Sequence, residues 1–140
     1  MVKVSQYIVA LTCFLMLCSC SSLTESGDGE QVYFEFKTTG DEHFFARTSD
    51  QEVIKKAREQ LARPKEERGL MINGEIARGT EQNNGWSWHF VPDKWNLVEV
   101  SMEVCDGRPS YVEKEIDYWV DNVGRFCPWN SKVIKEVGTK

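Results

Sequence analysis

The sequence predicts an α+β domain: an antiparallel sheet of four to five strands with two helices packed on one face. Three observations carry this reading. Residues 32–37 and 97–105 alternate apolar and polar side chains, the two-residue period of a half-buried strand. The segments after Ser49 and Ser110 place apolar residues three and four apart, the period of a helix. Between two strand-like runs, Pro92-Asp93-Lys94 reads as the turn of a hairpin.

In chain order, Val32-Tyr33-Phe34-Glu35-Phe36-Lys37 is a first strand with Phe34 and Phe36 inward. Ser49 and Glu52 form a capping box for a helix whose Val53, Ile54, Ala57 and Leu61 share one face, and Pro64 ends it. Leu70 to Arg78 is a second strand, Gly79 to Gly85 a turn-rich connection, and Trp86 to Val91 a third strand. Leu97 to Cys105 is a fourth, with Val98, Val100, Met102 and Val104 on one side and Glu99, Ser101 and Glu103 on the other. A wet outer face of this kind suits an antiparallel sheet. Ser110 and Glu113 cap a second helix carrying Val112, Ile116 and Trp119, and Val133 to Val137 is a last strand.

The 140 residues suffice for one domain of ordinary size, and no internal repeat divides them. Lys+Arg number 17 against 22 Asp+Glu, a net charge of -5, so nucleic acid is not an expected partner: a duplex-binding protein usually shows a basic surplus, because neutralising the phosphate backbone supplies most of its affinity. Lys3 precedes an apolar run from Tyr7 to Leu17, shorter than the roughly 20 residues that span a bilayer. Residues 1–19 therefore read as a signal peptide. Its end, Leu17-Cys18-Ser19-Cys20, resembles the bacterial lipobox, which makes Cys20 the lipidated, palmitate-bearing new N-terminus and membrane lipid the first expected partner. Residues 20–30 are then the lipidated cysteine and a flexible tether, Ser21 to Glu30 being polar and acidic, and residues 31–140 form the single domain. The expected location is the cell membrane or outer membrane of a bacterial envelope. Removing residues 1–19 takes away Lys3 and no acid, so the processed chain is one charge more negative than the -5 of the full sequence.

With Cys13 and Cys18 removed and Cys20 acylated, Cys105 and Cys127 remain of the five cysteines. In an exported domain such a pair is most simply a disulfide; a free catalytic thiol and a metal site are the alternatives. No CxxC or HxxxH spacing marks a metal centre, and neither metal nor cofactor is expected.

The least ordinary segment is Gly85-Trp86-Ser87-Trp88-His89-Phe90. On a strand, Trp86, Trp88 and Phe90 point one way and His89 the other. The aromatic face serves either as core or as a platform for a sugar, peptide or lipid head group, with Trp86 nearest the loop. His89 is the one candidate general base on this segment, although a lone histidine on a strand is more often a hydrogen-bonded surface residue. Ser87 lacks a strand–helix nucleophile elbow. A Cys105–Cys127 bridge would tie the Asp106-Gly107-Arg108-Pro109 loop to Cys127-Pro128-Trp129-Asn130, letting Arg108, Arg125, Trp129 and Asn130 line one surface. The candidate ligand-binding residues are thus Trp86, His89, Arg108, Arg125, Trp129 and Asn130, with no catalytic set among them.

The helix Lys55-Lys56-Ala57-Arg58-Glu59-Gln60-Leu61-Ala62-Arg63-Pro64, the Asn84-to-Phe90 run NGWSWHF, the stretch from Glu103 to Asp117 (EVCDGRPSYVEKEID) and the final FCPWNSKVIKEV resemble the N-terminal domain of a slime-mould calmodulin-binding protein, "BP seventy-four", and its small secreted bacterial relatives. The resemblance runs from about Val32 to Val137, with GWSWHF and CPW its specific pieces. It implies an exported compact domain with these two cysteines, and no activity, cofactor or catalytic residue. Calmodulin binding is not expected to follow, because Glu52, Glu59, Glu66 and Glu67 offset the basic residues of the helix region. The function expected is that of a lipid-anchored envelope protein carrying a small non-catalytic binding domain. The alternatives are a small envelope enzyme using His89, and an inhibitor or assembly partner of another envelope protein; besides membrane lipid, an envelope protein or a glycan is the expected partner.

Overall fold

The protein is seen in a computed structural model that describes residues 29–80 and 82–139. The expected signal peptide and Cys20 lie outside the described residues. The described chain forms two three-stranded antiparallel sheets. In the first, β1 (Val32–Lys37) lies between β2 (His43–Thr48) and β6 (Lys132–Thr139). In the second, β3 (Met71–Arg78) lies between β4 (Trp88–Val98) and the short β5 (Arg125–Phe126). Helix α1 (Gln51–Leu61) connects the first sheet to the second and packs against β6 and β4.

This corrects the expected α+β fold of one four-to-five-stranded sheet with two packed helices. The chain is mostly β, and α1 is the one helix longer than a turn or two among the described residues. The second helix breaks. Its first part, α2 (Pro109–Lys114), ends where Glu115 leaves helical geometry, and a π-helical turn at Tyr118–Val123 follows, closed by Gly124 at φ 67°. Neither half of the expected Ser110–Glu113 capping box forms, because Glu113 instead accepts from the backbone N–H and hydroxyl of Ser87, both at 2.9 Å.

The hairpin at residue 92 is also absent. Pro92 and Asp93 lie inside β4, within a wide bulge. Between the pairs Gly74–Trp95 and Ile76–Phe90, β4 advances five residues while β3 advances two. Proline is tolerated in a strand at such a site because the ladder is already interrupted. With β4 running on to Val98, the alternating stretch beyond it has no strand to pair with among the described residues. Val100, Met102 and Val104 are exposed, and a 3-10 turn at Glu103–Cys105 brings Cys105 inward. Strand β2, which the sequence reading did not assign, supplies Phe44 and Ala46 to the core.

The core lies between the sheets and is largely aromatic. The Phe44 ring centre lies 5.4 Å from Phe36, 5.7 Å from Phe90, 6.0 Å from Trp88 and 6.2 Å from Phe126. Trp95 meets Phe34 and Phe36 edge-on, at 6.5 and 5.7 Å. Burying one such side chain contributes about 1.5–3 kcal/mol. Val53, Ile54 and Ala57 of α1 close one side, as their spacing predicts. The free end of α1 is satisfied by Arg68, whose guanidinium donates to the carbonyls of Leu61, Arg63 and Val133.

Side chains from the second sheet close the outer edge of β2. Trp86 Nε1 donates to His43 O at 2.7 Å, Trp95 Nε1 to Arg47 O at 2.8 Å, and Phe45 N–H donates to Asn83 Oδ1 at 2.8 Å. Asn83 is fully buried and also donates to Trp88 O at 3.0 Å.

Asp93 pins the bulge. At φ 59° it occupies the left-handed region, which aspartate tolerates better than most residues. Its carboxylate accepts from Thr48 Oγ1 at 2.8 Å, Ser49 N at 2.6 Å and Ser49 Oγ at 3.0 Å. Ser49 is therefore not the helix cap. Asp50 is, accepting from Glu52 N and Val53 N. Burial raises the Asp93 pKa, but the hydrogen bonds from Ser49, Thr48 and Asp50 together outweigh it and hold the carboxyl below its usual range.

Two outcomes are expected. At Gly74 a Cβ would lie 2.7 Å from Trp95 Cα and 3.0 Å from Lys94 O, both backbone atoms. Gly74→Ala should therefore cost about 3 kcal/mol in urea unfolding followed by Trp fluorescence. The folded-state pKa of Asp93 lies below the unfolded one, so its stabilisation is complete above about pH 4 and is lost as pH falls through the folded value. Asp93→Asn keeps the backbone conformation. It should lower stability at neutral pH by about 1 kcal/mol and flatten the decline below about pH 4 in thermal melts.

Candidate functional site

Cys105 and Cys127 form a disulfide, with Cα atoms 5.1 Å apart, and Cys127 N–H donates to Cys105 O at 2.8 Å. Beside the bridge, one oxygen of Asp106 accepts from Gly107 N and Trp129 N, both at 2.9 Å. A covalent bond and a carboxylate thus lock the loop before α2 to the Cys-Pro-Trp-Asn loop. Gly107 is required by close approach: a Cβ there would lie 3.1 Å from two ring carbons of the buried Trp119.

The tight turn from β1 to β2 forms a third wall. Asp41 has φ 67°, and Thr38 N–H donates to Glu42 O at 3.0 Å. Glu42 Oε1 accepts from Ser110 N–H at 3.2 Å and ties this turn to the first turn of α2, while Oε2 is inaccessible to solvent and has no donor among the described residues. Together the three segments enclose a cleft of about 230 Å³ lined by Thr38, Thr39, Asp106, Arg108, Tyr111 and Asn130, among others. The Arg108 guanidinium carbon lies 5.8 Å from the centre of the Tyr111 ring. No carboxylate of the described residues forms an ion pair with Arg108. The cleft therefore offers a planar cation, an aromatic face, the Thr39 hydroxyl and a carboxamide, with the Asp106 carboxylate beside them; Thr38 is buried and its hydroxyl donates to Glu42 O at 3.5 Å.

The six residues singled out from the sequence separate. Arg108 and Asn130 meet in this cleft. Trp129, next in the chain to Asn130, is exposed on the adjoining surface. Arg125 turns away and donates to Asn73 Oδ1 from Nε and Nη2, at 3.2 and 2.9 Å, fastening β5 to β3. Trp86 is partly buried against the core with its N–H used on His43, and Trp88 and Phe90 are core. His89 stands elsewhere, its Nδ1 3.2 Å from Gly79 O. A second histidine, His43, pairs with Glu35 at 2.7 Å on the outer face of the first sheet, and no hydrogen bond among the described residues brings a hydroxyl or thiol to it. Among those residues no group of three or more His, Cys, Asp and Glu is placed to hold a metal.

Thr38, Thr39, Asp106 and Tyr111 escaped the sequence reading. The signal for the two threonines was available in Thr38-Thr39-Gly40-Asp41, a turn sequence, once His43–Thr48 is recognised as the strand that follows it.

The disulfide has a measurable role. Replacing both cysteines by serine should cost about 3 kcal/mol of stability in urea unfolding, and alkylation of the intact chain at Cys105 and Cys127 should require prior reduction.

Comparison with curated proteins and with solved structures finds no match to the chain. The sequence model of the "BP seventy-four" N-terminal domain matches residues 30–140, which takes in nearly all of the described fold, and the chain belongs to that family.

Proposed function

We propose that the protein is a lipid-anchored component of the bacterial cell envelope whose folded domain binds a ligand without transforming it. The cleft around Arg108 carries this reading. Among the described residues it presents a guanidinium without an ion-pair partner, the Tyr111 ring, Asn130 and Thr39, on segments held by the disulfide and by the link from Glu42 to Ser110, and no nucleophile–base pair lines it. Such a set orients a polar ligand. The anchor rests on the lipobox-like Leu17-Cys18-Ser19-Cys20 and the polar tether that follows. His89 supports catalysis poorly, since a ring nitrogen faces the Gly79 carbonyl and the residue is not part of the cleft.

One observation favours a second reading, that of an inhibitor or assembly partner for another envelope protein. Trp129 is 43% exposed on the disulfide-held loop, and exposed tryptophan on a rigid loop is a frequent anchor in protein interfaces.

One experiment tests both the anchor and the site. The full chain, purified from membranes in detergent, is titrated with envelope saccharides and peptides while Trp129 fluorescence is followed. Saturable binding is expected, weakened at least about tenfold by Arg108→Ala with little change in melting temperature. Cys20→Ser should release the chain from the membrane fraction. Binding indifferent to Arg108→Ala overturns the site, and membrane retention of the Cys20→Ser chain overturns the anchor.

A further inference from the structure

The Arg108 cleft does not end at Asn130. A second depression, of about 430 Å³, shares Thr38, Thr39 and Asn130 with it and continues to Lys37, Lys65 and Lys132. The two form one open groove, with an arginine at one end and three lysines at the other. Its charge opposes the net -5 of the chain. The acids within it are mostly committed. Asp41 is ion-paired to Lys37, one oxygen of Asp106 holds two backbone N–H groups, and Glu66 is unpaired among the described residues, so four cations face three acids and the lining keeps a small positive excess carried by Arg108, Lys65 and Lys132.

Two of the lysines face each other across the sheet. Lys37 and Lys132 stand directly opposite each other across the β1–β6 ladder. Like charges in that relation destabilise a sheet. Lys132 Nζ donates to the Lys65 backbone carbonyl at 3.5 Å, and Lys65 lines the same depression. The ion pair to Asp41 offsets part of this at Lys37, and Lys132 and Lys65 keep no carboxylate partner among the described residues, which leaves them available to an anion.

We infer that the groove takes an acidic glycan, a saccharide chain bearing carboxylate or phosphate groups. This rests on the reading of the Arg108 cleft as a binding site and extends it. The guanidinium supplies a planar fork for one anionic group, and the Tyr111 ring beside it a face for a sugar ring. Thr39 and Asn130 in the middle carry the hydroxyl and carboxamide that pair with sugar hydroxyls, and Lys65 and Lys132 receive further anions along the chain. An open groove suits a polymer. An acidic peptide would have to add to the edge strand β6, since both edges of β1 are paired, and it would leave the Tyr111 ring and the polar middle of the groove without a matching partner.

The test titrates the full chain in detergent with four probes: oligogalacturonate for carboxylates, a phosphorylated oligomannose for phosphates, a neutral maltohexaose, and polyglutamate. Each is run against the wild type, Arg108→Ala and the double variant Lys65→Ala/Lys132→Ala, at low and raised salt. Support is binding of either acidic saccharide that falls at least about tenfold in the double lysine variant, weakens with salt, and exceeds that of maltohexaose. The double variant should melt close to the wild type, since neither side chain is buried and neither holds an ion pair among the described residues; this separates lost binding from lost folding. Maltohexaose bound as tightly, sensitive to Arg108→Ala and indifferent to the lysines, overturns the acidic-glycan inference and leaves the Arg108 site standing. Polyglutamate bound more tightly than either acidic saccharide overturns it in favour of a peptide. Failure of all four probes overturns it as well, and the site reading then stands or falls on the wider panel.

Discussion

Strand β2 has one strand neighbour and needs two. On its outer side His43 O, Phe45 N–H and Arg47 O face away from β1, and each would cost on the order of 1–3 kcal/mol if buried without a partner. Two tryptophan N–H groups and one asparagine oxygen meet them, all from the second sheet and the loop leading into it. The edge is thereby closed by side chains where a strand would ordinarily close it. Much of the remaining architecture follows from this. Trp86, Asn83 and Trp95 reach β2 only if β4 lies alongside it, and that places Phe44 among Trp88, Phe90 and Phe126. Trp95 arrives there because β4 bulges at Asp93, whose carboxylate is in turn fixed to the start of α1. Gly74 makes room for the bulge on the neighbouring strand.

The same economy shapes the candidate site. None of its walls is a regular element of any length. Three turns are held by a disulfide, by the Asp106 carboxylate and by the link from Glu42 to Ser110. Breaking the second helix after Lys114 separates two jobs that a straight helix would have combined: Tyr111 stays exposed at the cleft, and Trp119 goes beneath Gly107 and against Phe126. The rigidity of the site therefore rests on cross-links between loops, which suits selective binding and leaves the sheets free to carry stability.

Patterns set by residue type and local spacing were read correctly from the chain. The alternation around Phe34 and Phe36, the stripe of Val53, Ile54 and Ala57, and the pairing of Cys105 with Cys127 all hold. The misreadings share one cause, which is competition for a side chain from far along the sequence. Ser49 has the chemistry of a cap, but Asp93, 44 residues away, takes it and leaves the role to Asp50. Glu113 sits three residues after Ser110 and is taken by Ser87. Val100, Met102 and Val104 alternate as a strand does, yet alternation creates a strand only where another backbone waits to pair.

For the candidate site the division is similar. Arg108 and Asn130 were visible because they flank the two cysteines, and a bridge between those cysteines must bring their neighbours together. Thr38 and Thr39 lie far away in sequence and join them through the β1–β2 turn, while Arg125, equally near a cysteine, is drawn off by Asn73. Residue type and spacing were enough for the charge, the alternation of the first strand and the apolar stripe of α1, because each depends on composition or on neighbours a few residues apart, and two cysteines were enough for the bridge. The two-sheet architecture, the broken helix and the groove depend on which distant donor meets which acceptor, and that is settled when the chain packs.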